Sequence, residues 1–233
     1  MTIRLRRRLV LRCMLVAIGG LVIAHTITQA FAFKLVDDDL YGIVPLFDLD
    51  EEANLPTLYS TLSLFFAAAL LACIAGSEKD DRTRFALWAG LAAIFAFLAI
   101  DETAMLHEIL GGLIQERFGL SGYLYYSWIV PYALILAGLF VCYLRFLLQL
   151  PTKVRLLILT AGAMFGAGVI SLEAIAARHD ELYGQETLTY AGLATAEELL
   201  EMGAIVVFVN ALMLYLEMRS STPQDGLRVT VSW

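Results

Sequence analysis

An all-α polytopic membrane bundle of about six transmembrane helices is the fold this sequence predicts, and three observations predict it. The 233 residues are 60% hydrophobic and 17% charged, with a mean hydropathy of +0.74, well outside the range of soluble domains. Six stretches reach the ~20 apolar residues that a hydrocarbon core requires. The basic residues fall one-sidedly among the connections, which is the asymmetry that orients membrane helices.

The first stretch, about 9–32, follows a cluster of arginines at 4, 6, 7 and 8. Its Ala30-Phe31-Ala32 end looks like a signal-peptide cleavage site, but the apolar run is longer than a usual signal core, so a retained helix is expected. The second, 56–76, opens on Leu55-Pro56-Thr57, where proline's missing donor is harmless, and closes on Ala75-Gly76-Ser77. Ser77 to Arg82 makes a tight charged turn into the third, 85–106. The fourth, 124–148, contains Pro131, which removes one helical hydrogen bond and is expected to bend it. Pro151 and Thr152 turn the chain into the fifth, 155–177, where Gly162, Gly166 and Gly168 offer a small-residue surface suited to close packing within the monomer. The sixth covers 190–217. Residues 1–219 are thus expected to form one transmembrane domain, with 220–233 as a short mobile tail.

With both termini placed in the cytoplasm, 13 of the 16 Lys and Arg lie inside; Lys34, Arg117 and Arg178 lie outside. A bacterial inner (plasma) membrane is the expected location. Cys13, Cys73 and Cys142 fall toward the cytoplasmic side, away from the compartment where disulfides persist, and are expected to be packing residues. The first outer loop is acidic, with Asp37, Asp38, Asp39, Asp48, Asp50, Glu51 and Glu52, and reads as solvated surface.

The chemistry lies in ionisable side chains on three apolar segments. The third carries Asp101-Glu102 and His107-Glu108, the fifth Glu173 and His179, the sixth Glu197-Glu198 and Glu201. A rise of 1.5 Å per residue puts Asp101 and Glu173 roughly 24–26 Å along their helices, and Glu201 at roughly 22–24 Å counted from the opposite end. These depths coincide in the outer half of the membrane. A charge exposed to lipid there is costly, so such groups face a bundle interior or an aqueous cavity and find a partner. Acids crowded together need a cation or shared protons to offset their repulsion.

Carboxylates from several helices with one or two imidazoles are the ligand set of iron, manganese or zinc. The candidate metal ligands are Asp101, Glu102, His107, Glu173, His179, Glu198 and Glu201, with Glu197 undecided between site and packing. Regular helices do not bring them all together. At 100° per residue His107 lies about 140° around the axis from Glu102, and His179 about 120° from Glu173. Each imidazole joins the acids only if its helix unwinds or takes a π-bulge near the outer end, where Gly111, Gly112 and Gly184 favour unwinding. Glu108, Asp180, Glu181 and Glu186 read as the wet margin, pairing with Arg117 and Arg178. His25, alone among apolar residues, reads as a satisfied core histidine, and a haem between two histidines is the weaker cofactor reading. Tyr123, Tyr125, Tyr126, Trp128 and Tyr132 read as an interfacial belt, or else as one wall of a lipid or quinone cleft.

No zinc-protease, nucleophile-elbow or phosphate-loop motif is present, and nothing points to nucleic acid. The leading expectation is a metal-dependent membrane enzyme acting on a lipid, quinone or other apolar substrate. The alternatives are a non-catalytic subunit packed against other membrane proteins, and a proton-coupled or cation transporter. One-sided polarity counts against the transporter, because transport needs access from both faces.

Overall fold

Among the described residues six helices are long and apolar enough to cross a membrane, which makes the protein a multi-pass helical bundle. The computed structural model describes residues 2–35, 42–219 and 227–230. In chain order the elements are β1 (Thr2–Leu5), α1 (Arg7–Leu35), α2 (Ile43–Phe47), α3 (Leu55–Ser77), α4 (Arg82–Ala104), α5 (Leu106–Phe118) and α6 (Ile129–Gln149). They continue with α7 (Thr152–Gly166), a π-helical stretch (Ala167–Leu172), α8 (Glu173–Tyr183), α9 (Leu188–Arg219) and β2 (Leu227–Thr230). The crossing helices are α1, α3, α4, α6, the continuous α7-to-α8 span Thr152–Tyr183, and α9.

Local signals set most boundaries. Asn54 caps α3, its side chain accepting from the Thr57 amide at 3.1 Å, with Pro56 in the first turn. Asp81 caps α4 by accepting from the amides of Thr83 and Arg84 at 3.0 and 3.1 Å. Helix α9 is the central mast, buried at Met202, Val209, Leu212 and Tyr215, and α1, α3 and α7 pack around it. Trp88 is fully buried, its ring 4.9 Å from Phe146 and 5.1 Å from Tyr215.

Polar groups fasten the end of the bundle opposite the first loop. Glu78, only 6% exposed, receives hydrogen bonds at 2.7 Å from both Tyr215 and Arg219, while Arg84 Nε lies 3.4 Å away. The charged turn is exposed at Ser77 and from Lys79 to Arg82, and only Glu78 is buried, where it joins α3 to Tyr215 and Arg219 of α9 and lies beside Arg84 of α4. Arg7 ties α1 to α9 through Glu217 at 2.9 Å and Asn210 at 2.8 Å. Beside it β1 and β2 pair antiparallel, Thr2 opposite Thr230, so both ends of the chain meet at one end of the bundle.

Several expectations change. The fourth helix starts at Ile129, after a single 3₁₀ turn at Gly122–Leu124, instead of near 124. Pro131 is then its third residue, where no helical acceptor awaits the missing N–H, and it begins the helix where a bend was expected. Of the three glycines on the fifth span, a side chain at 162 would meet nothing within 4 Å, and only Gly168 makes a very close approach. The three cysteines are exposed on the outside of the bundle, away from its packed core. Residues 227–230 of the tail are paired strand; the remainder of 220–233, and Asp37, Asp38 and Asp39, lie outside the described residues.

Candidate metal centre

Helix α4 ends because Met105 takes the left-handed conformation, φ 53° and ψ 38°, and α5 restarts at Leu106. That break cancels the angular offset of a continuous helix. His107 turns back over the last turn of α4, its backbone N–H donating to Asp101 Oδ1 at 2.9 Å and its Nδ1 lying 3.5 Å from Asp101 Oδ2. The Tyr132 hydroxyl donates to the same Oδ2 at 2.8 Å, and Trp128 stands edge-on to the imidazole with ring centres 4.9 Å apart. Asp101 thus fixes one edge of the ring and leaves the other free.

The free edge faces the first loop. His107 Nε2 lies 3.8 Å from Glu52 Oε1, and one ligand atom each from Glu52, His107 and Glu108 lie within 4.8 Å of one another. Glu52 Oε2 is buried with no hydrogen-bond partner. The loop reaches this position because its backbone is held on both sides. Asn54 Nδ2 donates to the carbonyls of Asp48 at 2.6 Å and Pro45 at 3.0 Å, and Gln29 Nε2 donates to Asp48 Oδ2 at 2.6 Å. Ala53, next to Glu52, also has a positive φ of 58°. Among the described residues Ala53 and Met105 are the two non-glycine residues with positive φ, and they flank the three-residue cluster on its two strands of chain. Each conformation costs about 1–2 kcal/mol, a strain typically retained at functional positions.

The cluster opens into a cavity of about 650 Å³ lined also by Asp101, Glu102, Glu173, Glu197, Glu198 and Glu201. Acids from α4, α8 and α9 therefore share one chamber. The π-helical stretch makes room for α9: a Cβ on Gly168 would stand 2.9 Å from Glu201 Cγ, so only glycine lets the helices meet there. Because that extra turn falls before Glu173, the helix from Glu173 to His179 stays regular and the two keep their angular separation. His179 does not line the chamber. Its Nε2 meets Thr187 Oγ1 at 2.7 Å, and that oxygen accepts from the Tyr190 amide at 3.1 Å, capping α9.

His25 is 5% exposed, Nδ1 accepting from the Leu49 amide at 3.2 Å while Nε2 meets Thr195 Oγ1 at 3.2 Å; it pins the loop between α1 and α9. The aromatic residues divide. Tyr123 is 62% exposed, whereas Tyr125, Tyr126, Trp128 and Tyr132 turn inward as a wall of the chamber. Tyr126 donates to Asp180 at 2.7 Å and meets the Tyr190 hydroxyl at 3.0 Å, closing the rim. At the margin Arg178 pairs with Glu181 at 2.7 Å.

Burial would lower the His107 pKa, but the carboxylates of Asp101, Glu52 and Glu108 outweigh it and the imidazole is raised. Glu52 is pushed up to about 7, by burial first and then by the Glu102 carboxylate. With protein groups alone around it, the folded state keeps a proton that the unfolded chain loses above its ordinary value of 4.5. The associated stability is present below that value and is lost as pH rises to about 7. E52Q is expected to flatten this slope in thermal unfolding of metal-stripped protein between those limits; an unchanged slope would place the titration elsewhere.

A family model described as a domain of unknown function (DUF8692) matches residues 9–216, nearly the whole chain. The chain belongs to that family. Neither the comparison with curated proteins nor that with solved structures gives a match.

Glu52 is the candidate ligand that sequence reasoning assigned to solvated surface, while Glu108 is exposed, as the wet-margin reading expects, and lines the chamber's mouth beside His107. For Glu108 the signal was its adjacency to His107. For Glu52 there was none, since a loop residue's neighbours are set by long-range packing.

Proposed function

We propose that this protein is a metal-dependent membrane enzyme acting on a lipid, quinone or other apolar substrate, its ion held by Glu52, His107 and Glu108. The observation that carries the reading is the line Asp101–His107–Glu52, with one carboxylate behind Nδ1 and a partly unpartnered one before Nε2. Metal-binding imidazoles characteristically keep such a carboxylate behind the ring, where it fixes the tautomer and raises ligand basicity. Asp101 is then a positioning residue. Two carboxylates and an imidazole suit iron, manganese or zinc. Bound there, the ion would supply Lewis acidity or an activated water, and the acids farther inside would stand on the substrate's side of the chamber. The excess of Lys and Arg on the opposite connections supports a bacterial inner membrane with this site facing outward.

The test is elemental analysis of the purified full-length protein together with the double variant Glu52→Gln, His107→Ala. Stoichiometric iron, manganese or zinc in the natural chain, lost in the variant while its helical circular dichroism is retained, is the expected result. Protein that neither carries nor takes up any of the three ions would overturn the reading and leave a non-catalytic membrane subunit.

A further inference from the structure

Helix α5 belongs to none of the six crossing spans. Its 13 residues reach about 20 Å, short of the ~30 Å of a hydrocarbon core, and of the described residues in it only Gly111 is buried. That glycine is a close seat on the chamber wall, since a Cβ there would stand 3.2 Å from Trp128 Cβ. The helix lies against the bundle, outside its packed core.

At 100° per residue its side chains sort into three faces. His107, Gly111 and Gln115 line the chamber. Glu108, Gly112 and Glu116 recur at every fourth position and are exposed, forming a polar flank. Leu106, Ile109, Leu110 and Leu113 fall within about 100° of one another, roughly opposite the chamber face, and all are exposed, Ile109 at 59% and Leu113 at 62%. What covers this apolar face follows from its level. The crossing helix α4 runs to Ala104 with Phe97 and Ile100 exposed on it, and α5 begins two residues later, so the two apolar surfaces adjoin. Phe118, Tyr123 and Tyr183 are exposed at the same end, where the Gly122 N–H donates to Glu181 Oε2 at 2.8 Å and holds the turn after α5 level with the end of α8. Aromatic residues exposed at the ends of crossing helices mark the headgroup level.

We infer that α5 lies in the plane of the membrane at the boundary of headgroups and acyl chains, with the face of Leu106, Ile109, Leu110 and Leu113 sunk among the lipids and the flank of Glu108, Gly112 and Glu116 in water. The partner is a zwitterionic lipid surface. Helix α5 carries Glu108 and Glu116 against Arg117, so its hold comes from buried apolar area and anionic headgroups add no attraction. A protein on this face would have to displace lipid continuous with that on α4. The placement holds with or without an ion at His107 and so does not rest on the metal-enzyme reading. It adds that the chamber's mouth, carried on the first turn of the same helix, opens at headgroup level.

Spin labelling of the full chain in phosphatidylcholine nanodiscs tests it, with Cys13, Cys73 and Cys142 replaced by Ser and one cysteine introduced at a time as Ile109→Cys, Gly112→Cys, Leu113→Cys or Glu116→Cys. Nitroxides at 109 and 113 are expected to be relaxed more by oxygen than by a water-soluble nickel complex, at a depth of about 5–10 Å, and those at 112 and 116 more by nickel. The pattern should be unchanged when phosphatidylglycerol replaces part of the lipid. Nickel preference at all four positions puts the helix in water and overturns the inference. So does shielding of 109 and 113 from both reagents, which places a second copy or another protein on that face, and so does a pattern that appears only with the anionic lipid. Where a labelled variant does not fold, Leu113→Trp is read instead by brominated phosphatidylcholine: quenching of the added emission is expected, and its absence overturns the placement.

Discussion

Asp101→Asn is expected to lower metal affinity by about 10–100-fold while the bundle remains folded, the usual cost of losing the carboxylate behind a metal-binding imidazole. The substitution keeps the side chain's size. One amide oxygen can still accept from the His107 backbone, now 2.9 Å from Oδ1, or from Tyr132, now 2.8 Å from Oδ2. What disappears is the negative charge 3.5 Å from His107 Nδ1. An asparagine amide can also present its NH2 group there, which would favour the wrong tautomer for an Nε2 ligand. Competition of the purified variant against a chelator of known affinity measures the effect. Affinity equal to the natural chain would show that Asp101 does not position the ring, and complete loss together with unfolding would make it a structural residue.

Glu78→Ala is expected to lower stability by about 3 kcal/mol, the low end for breaking a buried ion pair, because Arg219 keeps 43% of its side chain in contact with solvent. The carboxylate is the common acceptor for Tyr215 and Arg219 and sits beside Arg84, whose buried Nε has no other partner. Removing it leaves those donors pointing at each other where α3, α4 and α9 meet. Glu78→Gln should cost less, since it still offers Tyr215 an oxygen. Thermal unfolding in detergent compares them, and metal content should be the same in all three proteins because the junction lies at the other end of the bundle. An alanine variant as stable as the natural chain would show that the Glu78 contacts contribute nothing to stability.

How much could be read before folding was considered depended on the range of the interaction. The six crossing segments were legible because apolar length is a property of each stretch alone, and Asn54, Pro56 and Asp81 marked ends within a few residues of the helices they cap. Pro131 carried a signal that was read the wrong way: proline fits the opening turn of a helix as well as it disrupts the middle, and the boundary at Ile129 decides between them. The convergence of Asp101, Glu102, Glu173, Glu198 and Glu201 on one chamber also had a local sign, the shared depth of acids on separate segments.

His107 and His179 mark the limit. Both were offset from the acids of a regular helix, so the sequence by itself determined that a backbone irregularity was needed to unite them. Its glycines at 111, 112 and 184 pointed to the outer ends, whereas the irregularities fall at Met105 and at Ala167–Leu172. Met105 and Leu106 are ordinary helix formers with no glycine or proline between Asp101 and His107, and the left-handed residue at 105 is held by the contacts of His107 with Asp101 and Trp128. On the fifth span the irregularity came before Glu173, where α9 presses on Gly168, and His179 was left to cap a helix. Composition and apolar period determined a six-helix membrane bundle with acids at one level, because those depend on neighbours along the chain. Only the tertiary structure decided which imidazole meets them and that Glu52 joins it, because a left-handed turn and a folded loop cost free energy locally and persist through contacts made across the bundle.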